Sequence, residues 1–244
     1  MEFEQLKSTL KGIFDEFFID MGIDPVTGIV SGTNRRFAGY PYIGRKYATS
    51  PVKVLFIPLD TGVDECAEIN TYHSFESREK LFADGELDFN PHIAGTYATA
   101  LYIMKESMGW KSSWDALCAK GEKHKTAKAI REASTVLPQD LMSYIAYDNR
   151  YKFVTIGRPE GSRAGANDRV WLNLERERRI LLDEIAIFDP DYIVFQGTEG
   201  IHDCGISLLE NKYKVITAYH PSCWQRGADK LKYIQDTIAP QLKK

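Results

Sequence analysis

Apolar residues recur along residues 4–21 at helical spacing: Leu6, Leu10, Ile13, Phe14, Phe17, Phe18 and Met21 share one face, with charged positions between them. The stripe predicts an amphipathic helix that docks on the rest of the chain. Residues 22–50 lose this period and read as a loop punctuated by Gly22, Pro25, Gly28, Gly32, Gly39, Pro41 and Gly44. Four short apolar runs follow: 52–57, 151–156, 192–196 and 213–216. They are near-continuously apolar rather than alternating, which predicts strands buried on both faces, as in a parallel sheet. Helical patterns separate them. One runs from His92 to Met108 through Ile93, Tyr97, Leu101 and Met104, and two or three segments fall in 112–147. Another covers 169–187, capped by Asp168; a short one holds Ile201, Leu208 and Leu209; the last spans about 228–238. Strands alternating with helices predict one α/β domain over residues 1–244, three-layer αβα with a central four-stranded parallel sheet. Residues 1–50 form its N-terminal extension, a helix followed by an aromatic and basic loop.

Right-handed crossovers carry the carboxyl ends of such strands to one rim, where open α/β sheets bind ligands. The first run ends in Pro58-Leu59-Asp60-Thr61-Gly62. The second opens into 157–168, which holds Arg158 and Arg163, and the third ends at Gly197. The fourth enters Thr217-Ala218-Tyr219-His220-Pro221-Ser222-Cys223-Trp224-Gln225-Arg226-Gly227. Pro221 can neither pair in a strand nor continue a helix, so the strand stops near His220. An imidazole, a hydroxyl, an indole and a guanidinium thus crowd one turn. An acid, a histidine and several arginines along one rim compose a candidate active site. The plainer alternatives are a turn or capping role for Asp60 and a satisfied loop histidine at His220.

Composition narrows the partners. The 244 residues are 43% hydrophobic and 27% charged, with a net charge of −3. That argues against coating a bulk polyanion but permits a local basic patch. In the 22–50 loop, Arg35, Arg36, Phe37, Tyr40, Tyr42, Arg45, Lys46 and Tyr47 interleave cations with rings. Such a series suits a nucleic-acid strand, and it equally suits rings packed on the domain. The cluster Lys120, Lys123, His124, Lys125 and Lys128 reads as a solvated helix face. Cys66, Cys118, Cys204 and Cys223 show no C-x-x-C spacing, so neither a disulfide framework nor a cysteine-held metal is expected. No Walker loop or G-x-G-x-x-G follows a strand, so no nucleotide cofactor is expected. No apolar run approaches ~18 residues, which leaves no membrane span. Residues 1–5 lack the basic and apolar regions of a signal peptide. A soluble, intracellular, cytoplasmic protein is the expectation.

Taken in order, these motifs resemble the uracil-DNA glycosylase superfamily over residues 50–240. The carriers are Val54-Leu55-Phe56-Ile57-Pro58-Leu59-Asp60-Thr61-Gly62, then Arg158-Pro159-Glu160-Gly161-Ser162-Arg163, then Asp189-Pro190-Asp191-Tyr192-Ile193-Val194-Phe195-Gln196-Gly197, and last His220-Pro221-Ser222. The resemblance implies a hydrolase of base excision repair that works on DNA as a monomer without cofactor or metal. A base is flipped from the strand into a pocket. Asp60 would stabilise the sugar cation and orient water, and His220 would donate a hydrogen bond to the departing base. Ser222 would hold a phosphate, and Trp224 would fill the gap left by the base. Phe75 would stack on the base, with Tyr72 and His73 as rivals, and Arg158, Arg163 and Arg226 would meet the strand.

The chain departs from the family's pattern in three places. Pro58 and Thr61 flank the acid where the family differs, and Gly62 stands where the uracil-strict branch has a tyrosine. A glycine there implies room beside base C5 and tolerance of 5-modified uracils. The base-reading asparagine after the second strand is not evident; Phe153 falls near it, with Asn149 and Asn167 as candidates. A catalytically silent nucleic-acid-binding relative is therefore the alternative reading, and hydrolysis of free nucleosides a third.

Overall fold

The computed structural model describes residues 2–59, 74–83, 91–119, 141–156, 171–222 and 229–243. The first apolar stripe folds as α1 (Phe3–Met21), with Leu6, Leu10, Phe14 and Phe17 buried. Each such side chain contributes roughly 2 kcal/mol on leaving water. Gly22 ends the helix at φ 64, its N–H reaching the Ile19 and Phe18 carbonyls. Only glycine adopts that left-handed conformation without strain. Then come β1 (Arg35–Phe37), β2 (Tyr42–Ile43), β3 (Val54–Pro58), α2 (Phe75–Ala83), α3 (Pro91–Met104) and α4 (Lys111–Ala119). The chain continues with β4 (Ile145–Tyr147), β5 (Phe153–Thr155), α5 (Leu174–Phe188), β6 (Tyr192–Gln196), α6 (Ile206–Glu210) and β7 (Lys214–Ala218). It closes with α7 (Lys230–Tyr233), a π turn (Ile234–Ile238) and α8 (Ala239–Leu242).

The main sheet has five strands in the order β2-β4-β3-β6-β7. β4, β3, β6 and β7 run parallel, and β2 is an antiparallel edge. The expected purely parallel four-stranded sheet is therefore corrected to a mixed one of five. The expected second strand is corrected too. Residues 153–155 leave this sheet and pair antiparallel with β1, while Ile145–Tyr147, read as helical from sequence, takes the place beside β3. The extended chain continues along β3 past β4: Asp148 N–H donates to Phe56 O at 2.8 Å, Arg150 N–H to Pro58 O at 2.9 Å and Tyr151 N–H to Leu59 O at 2.8 Å. Polar residues fill that continuation, so a hydrophobic pattern cannot reveal it.

Side chains alternate across the buried strands, as the period of two requires. Val54, Phe56, Ile145, Tyr147, Val194, Ile216 and Ala218 face one core with α3, α4 and the C-terminal helical segments. Leu55, Ile57, Ala146, Ile193 and Phe195 face the other with α1 and α5. α5 is capped by Asn173, whose side chain accepts from Arg176 N–H at 3.1 Å; Asp168, the expected cap, lies outside the described residues. The rings of the 22–50 segment serve the domain: Phe37, Tyr42 and Tyr47 are buried, and Tyr47 donates to the Phe188 carbonyl at 3.2 Å. The packing alternative thus holds for them. The lysine cluster around His124 lies outside the described residues. No described helix is long and apolar enough to cross a membrane.

Candidate active site

β7 delivers the chain to Tyr219–Ser222 at the carboxyl rim. Ser222 N–H donates to His220 Nδ1 at 3.3 Å. An Nδ1 that accepts leaves the ring proton on Nε2, so His220 presents an Nε2–H donor as a neutral imidazole. The turn is seated on α3: a Cβ on Gly95 would lie 2.2 Å from Pro221 Cβ, so only glycine lets the helix approach this closely. On the other side Lys230 Nζ donates to Pro221 O at 2.6 Å, and Tyr233 Oη donates to Tyr219 O at 2.9 Å. Burial pushes the Lys230 ammonium down to about 8.

A second imidazole meets the first. His92 stands on the first turn of α3 with its ring centroid 4.1 Å from that of His220. Its Nε2 lies 2.9 Å from Gln196 Oε1, and the Tyr147 hydroxyl lies 3.3 Å from its Nδ1. Thr96 Oγ1 sits 3.1 Å from Gln196 Oε1 and 3.0 Å from its Nε2. Gln196 and Tyr147 are the last residues of β6 and β4, both turned toward α3. His92 therefore donates through Nε2 and accepts at Nδ1, a neutral ring. Burial, chiefly, then the neighbouring His220 and Lys230, hold it well below the usual histidine range.

Just past Tyr147, the continuation of β4 carries Asn149. It is 1% exposed; its Nδ2 donates to Ala38 O at 3.3 Å, and its Oδ1 has no hydrogen-bond partner among the described residues. Asn149 N–H donates to Asp148 Oδ1 at 2.7 Å. Asp148 in turn grips Lys152, whose Nζ lies 2.7 and 2.8 Å from the two carboxylate oxygens and 2.5 Å from Glu184 Oε2 of α5. All three side chains are fully buried. Burial, then the Asp148 charge, push the Glu184 carboxyl well above its usual range. Next in the chain, Arg150 donates to the Gly197 carbonyl at 2.8 Å and to the Glu199 carbonyl, fixing the end of β6. This segment ties the end of β3, which runs into Asp60, to the end of β6.

Of the residues singled out from sequence, His220 and Ser222 share the rim turn, and Gly197 closes β6 as expected. Phe75 does not join them. Its ring packs 5.1 Å from Tyr40 and 6.2 Å from Phe14, in the core on the α1 side. That placement opposes a stacking role, since the ring is buried against α1. Asp60, Gly62, Tyr72, His73, Arg158, Arg163, Asn167, Trp224 and Arg226 lie outside the described residues. Sequence reasoning missed His92, Thr96, Tyr147, Gln196 and Lys230. One signal was present: Gln196 closes an otherwise apolar run, which marks a buried amide needing partners. A charged groove of about 520 Å³ lies between α1 and α5, on the opposite face of the sheet from His92. Among the described residues no group of three His, Cys, Asp or Glu is gathered to hold a metal.

No protein-family model and no curated protein matches the chain.

Proposed function

We propose that the protein is a DNA glycosylase that hydrolyses the N-glycosidic bond of uracil or a related damaged base, as a monomer inside the cell. The observation that carries the reading is Asn149, a buried amide whose Oδ1 is unpartnered among the described residues, on the strand beside the one that leads to Asp60. The imide N–H of a flipped uracil-type base satisfies such an acceptor. His220 donates through Nε2 to the oxygen that gains charge as the bond from C1′ to the base nitrogen breaks, and the electron pair leaves with the base. A neutral donor suits an anionic leaving group without adding a proton to the pocket. Asp60, directly after Leu59 in sequence, would stabilise the sugar cation, orient water for attack at C1′ and accept its proton. Ser222 meets a backbone phosphate, Trp224 the vacated stack, and Gly62 leaves room for a 5-substituent.

The test is base release from labelled oligonucleotides carrying one central uracil or 5-hydroxymethyluracil, single-stranded and paired, read by alkaline cleavage. The expected result is cleavage by the parent protein, with loss of at least about a hundredfold in Asp60→Asn and His220→Ala. Full activity in both variants overturns the assignment. Retardation of the oligonucleotides without release from any of them replaces the enzyme by a catalytically silent strand binder.

A further inference from the structure

We propose that Lys230 is a positioning residue: it clamps the Tyr219–Ser222 turn to the C-terminal helical segment and keeps His220 a neutral imidazole. The inference rests on the reading of His220 as the donor to the leaving base. Three contacts define the clamp. Lys230 is 1% exposed, and its Nζ holds the Pro221 carbonyl at 2.6 Å. Tyr233, one turn on, holds the Tyr219 carbonyl at 2.9 Å. Opposite them, the backbone of α3 at Gly95 abuts the Pro221 ring. The turn therefore has a helix on each side and little room to shift.

Among the described residues, the titratable and charged groups placed around the turn include His92 from α3, Tyr147 from β4, and Lys230 and Tyr233 from α7. Arg78 of α2 lies over the far ring, 5.8 Å from the Tyr147 centroid. Burial holds His92 neutral, so among the described residues Lys230 supplies the cation bound to the turn. A positive charge beside an imidazole disfavours its protonation, and the field of Lys230 already acts on His92 in that sense. The anchor works in the same direction. A fixed turn keeps Ser222 N–H on His220 Nδ1 at 3.3 Å, and protonation of Nδ1 would break that bond. Burial lowers the ammonium to about 8, which leaves it charged at neutral pH.

The experiment is an NMR titration of the imidazole resonances in the full chain, comparing the parent with Lys230→Met and Lys230→Arg. Base release is measured alongside. Lys230→Met is expected to raise the His220 midpoint by about one unit, while Lys230→Arg leaves it in place. Base release by Lys230→Met is expected to lose about tenfold in kcat at neutral pH with KM little changed. An unshifted His220 midpoint in folded Lys230→Met overturns the proposal. Should that variant fail to fold, Lys230→Gln keeps a donor for the Pro221 carbonyl without the charge, and an unshifted midpoint there overturns it equally. The titration needs no substrate. A shifted midpoint with no base release from any oligonucleotide retains the clamp and removes the glycosylase reading.

Discussion

Asn149 is the residue at which stability and function oppose each other. A buried acceptor without a hydrogen bond costs about 1–3 kcal/mol, and nothing in the described structure returns that cost at Oδ1. A ligand N–H would. Replacing Asn149 by alanine removes the orphaned oxygen, along with the 3.3 Å bond from Nδ2 to Ala38 O. The two effects offset each other, so unfolding free energy is expected to stay within about 1 kcal/mol of the parent. Base release is expected to fall at least about a hundredfold. Denaturant unfolding and the oligonucleotide assay, run on one preparation, check both halves; full activity in the variant refutes the role. His220 and Ser222 could be singled out from sequence because Pro221 pins the end of the strand. In the sequence Asn149 is only one of two candidate asparagines, because the polar stretch around it gives no strand pattern. His92 could not be paired with Gln196 from sequence, since 104 residues separate them and only the packing of α3 on the sheet brings them together.

At the scale of elements, three of the four parallel strands are legible, and their apolar runs are the reason. β6 spans the residues expected of it, and β3 and β7 differ at their ends. β4 fails because it is only three residues long and its continuation is Asp148-Asn149-Arg150-Tyr151-Lys152, a polar stretch that lies buried. The run at 151–156 looked more strand-like and does form a strand, but it pairs with β1. The short edge strand β2 sits within a glycine-rich segment that gives no period to read. What lets the polar stretch lie inside is Lys152, which ties the β4 continuation to α5 through Asp148 and Glu184. Removing one partner of a buried ion group strands the others in low dielectric, typically at a cost of 3–5 kcal/mol. Lys152→Met is therefore expected to destabilise the chain by about 3 kcal/mol or more. Lys152→Met combined with Asp148→Leu and Glu184→Leu should recover much of that loss. Equal midpoints for parent and single variant in urea would show that the cluster does not hold the elements together.

For the whole molecule, the layer on the α1 and α5 side governs how stability responds to pH. Glu177 lies fully buried on the inward face of α5, where Oε1 accepts the Leu172 and Asn173 N–H groups at 2.6 and 2.9 Å. Burial raises its carboxyl from 4.5 to about 7, outweighing those hydrogen bonds and the nearby Arg35 and Lys152 charges. Glu184 is shifted in the same direction. For such a group the unfolded chain releases its proton first. Its contribution is fully present below about 4.5 and is lost as the pH rises through about 7. A shift of this size is worth about 3 kcal/mol across that window. His92 acts with the opposite sign, because a histidine held below its ordinary range contributes stability that disappears as the pH falls. The parent curve therefore mixes the two, and a variant must separate them. Glu177→Gln keeps an acceptor for the two N–H groups but cannot ionise. Between pH 5 and pH 8 the parent should lose about 2.5 kcal/mol relative to this variant, seen as converging or crossing unfolding curves in urea at the two pH values. Curves that stay parallel would mean that Glu177 titrates alike in the folded and unfolded chain, and that the buried face of α5 does not set the pH response of the fold.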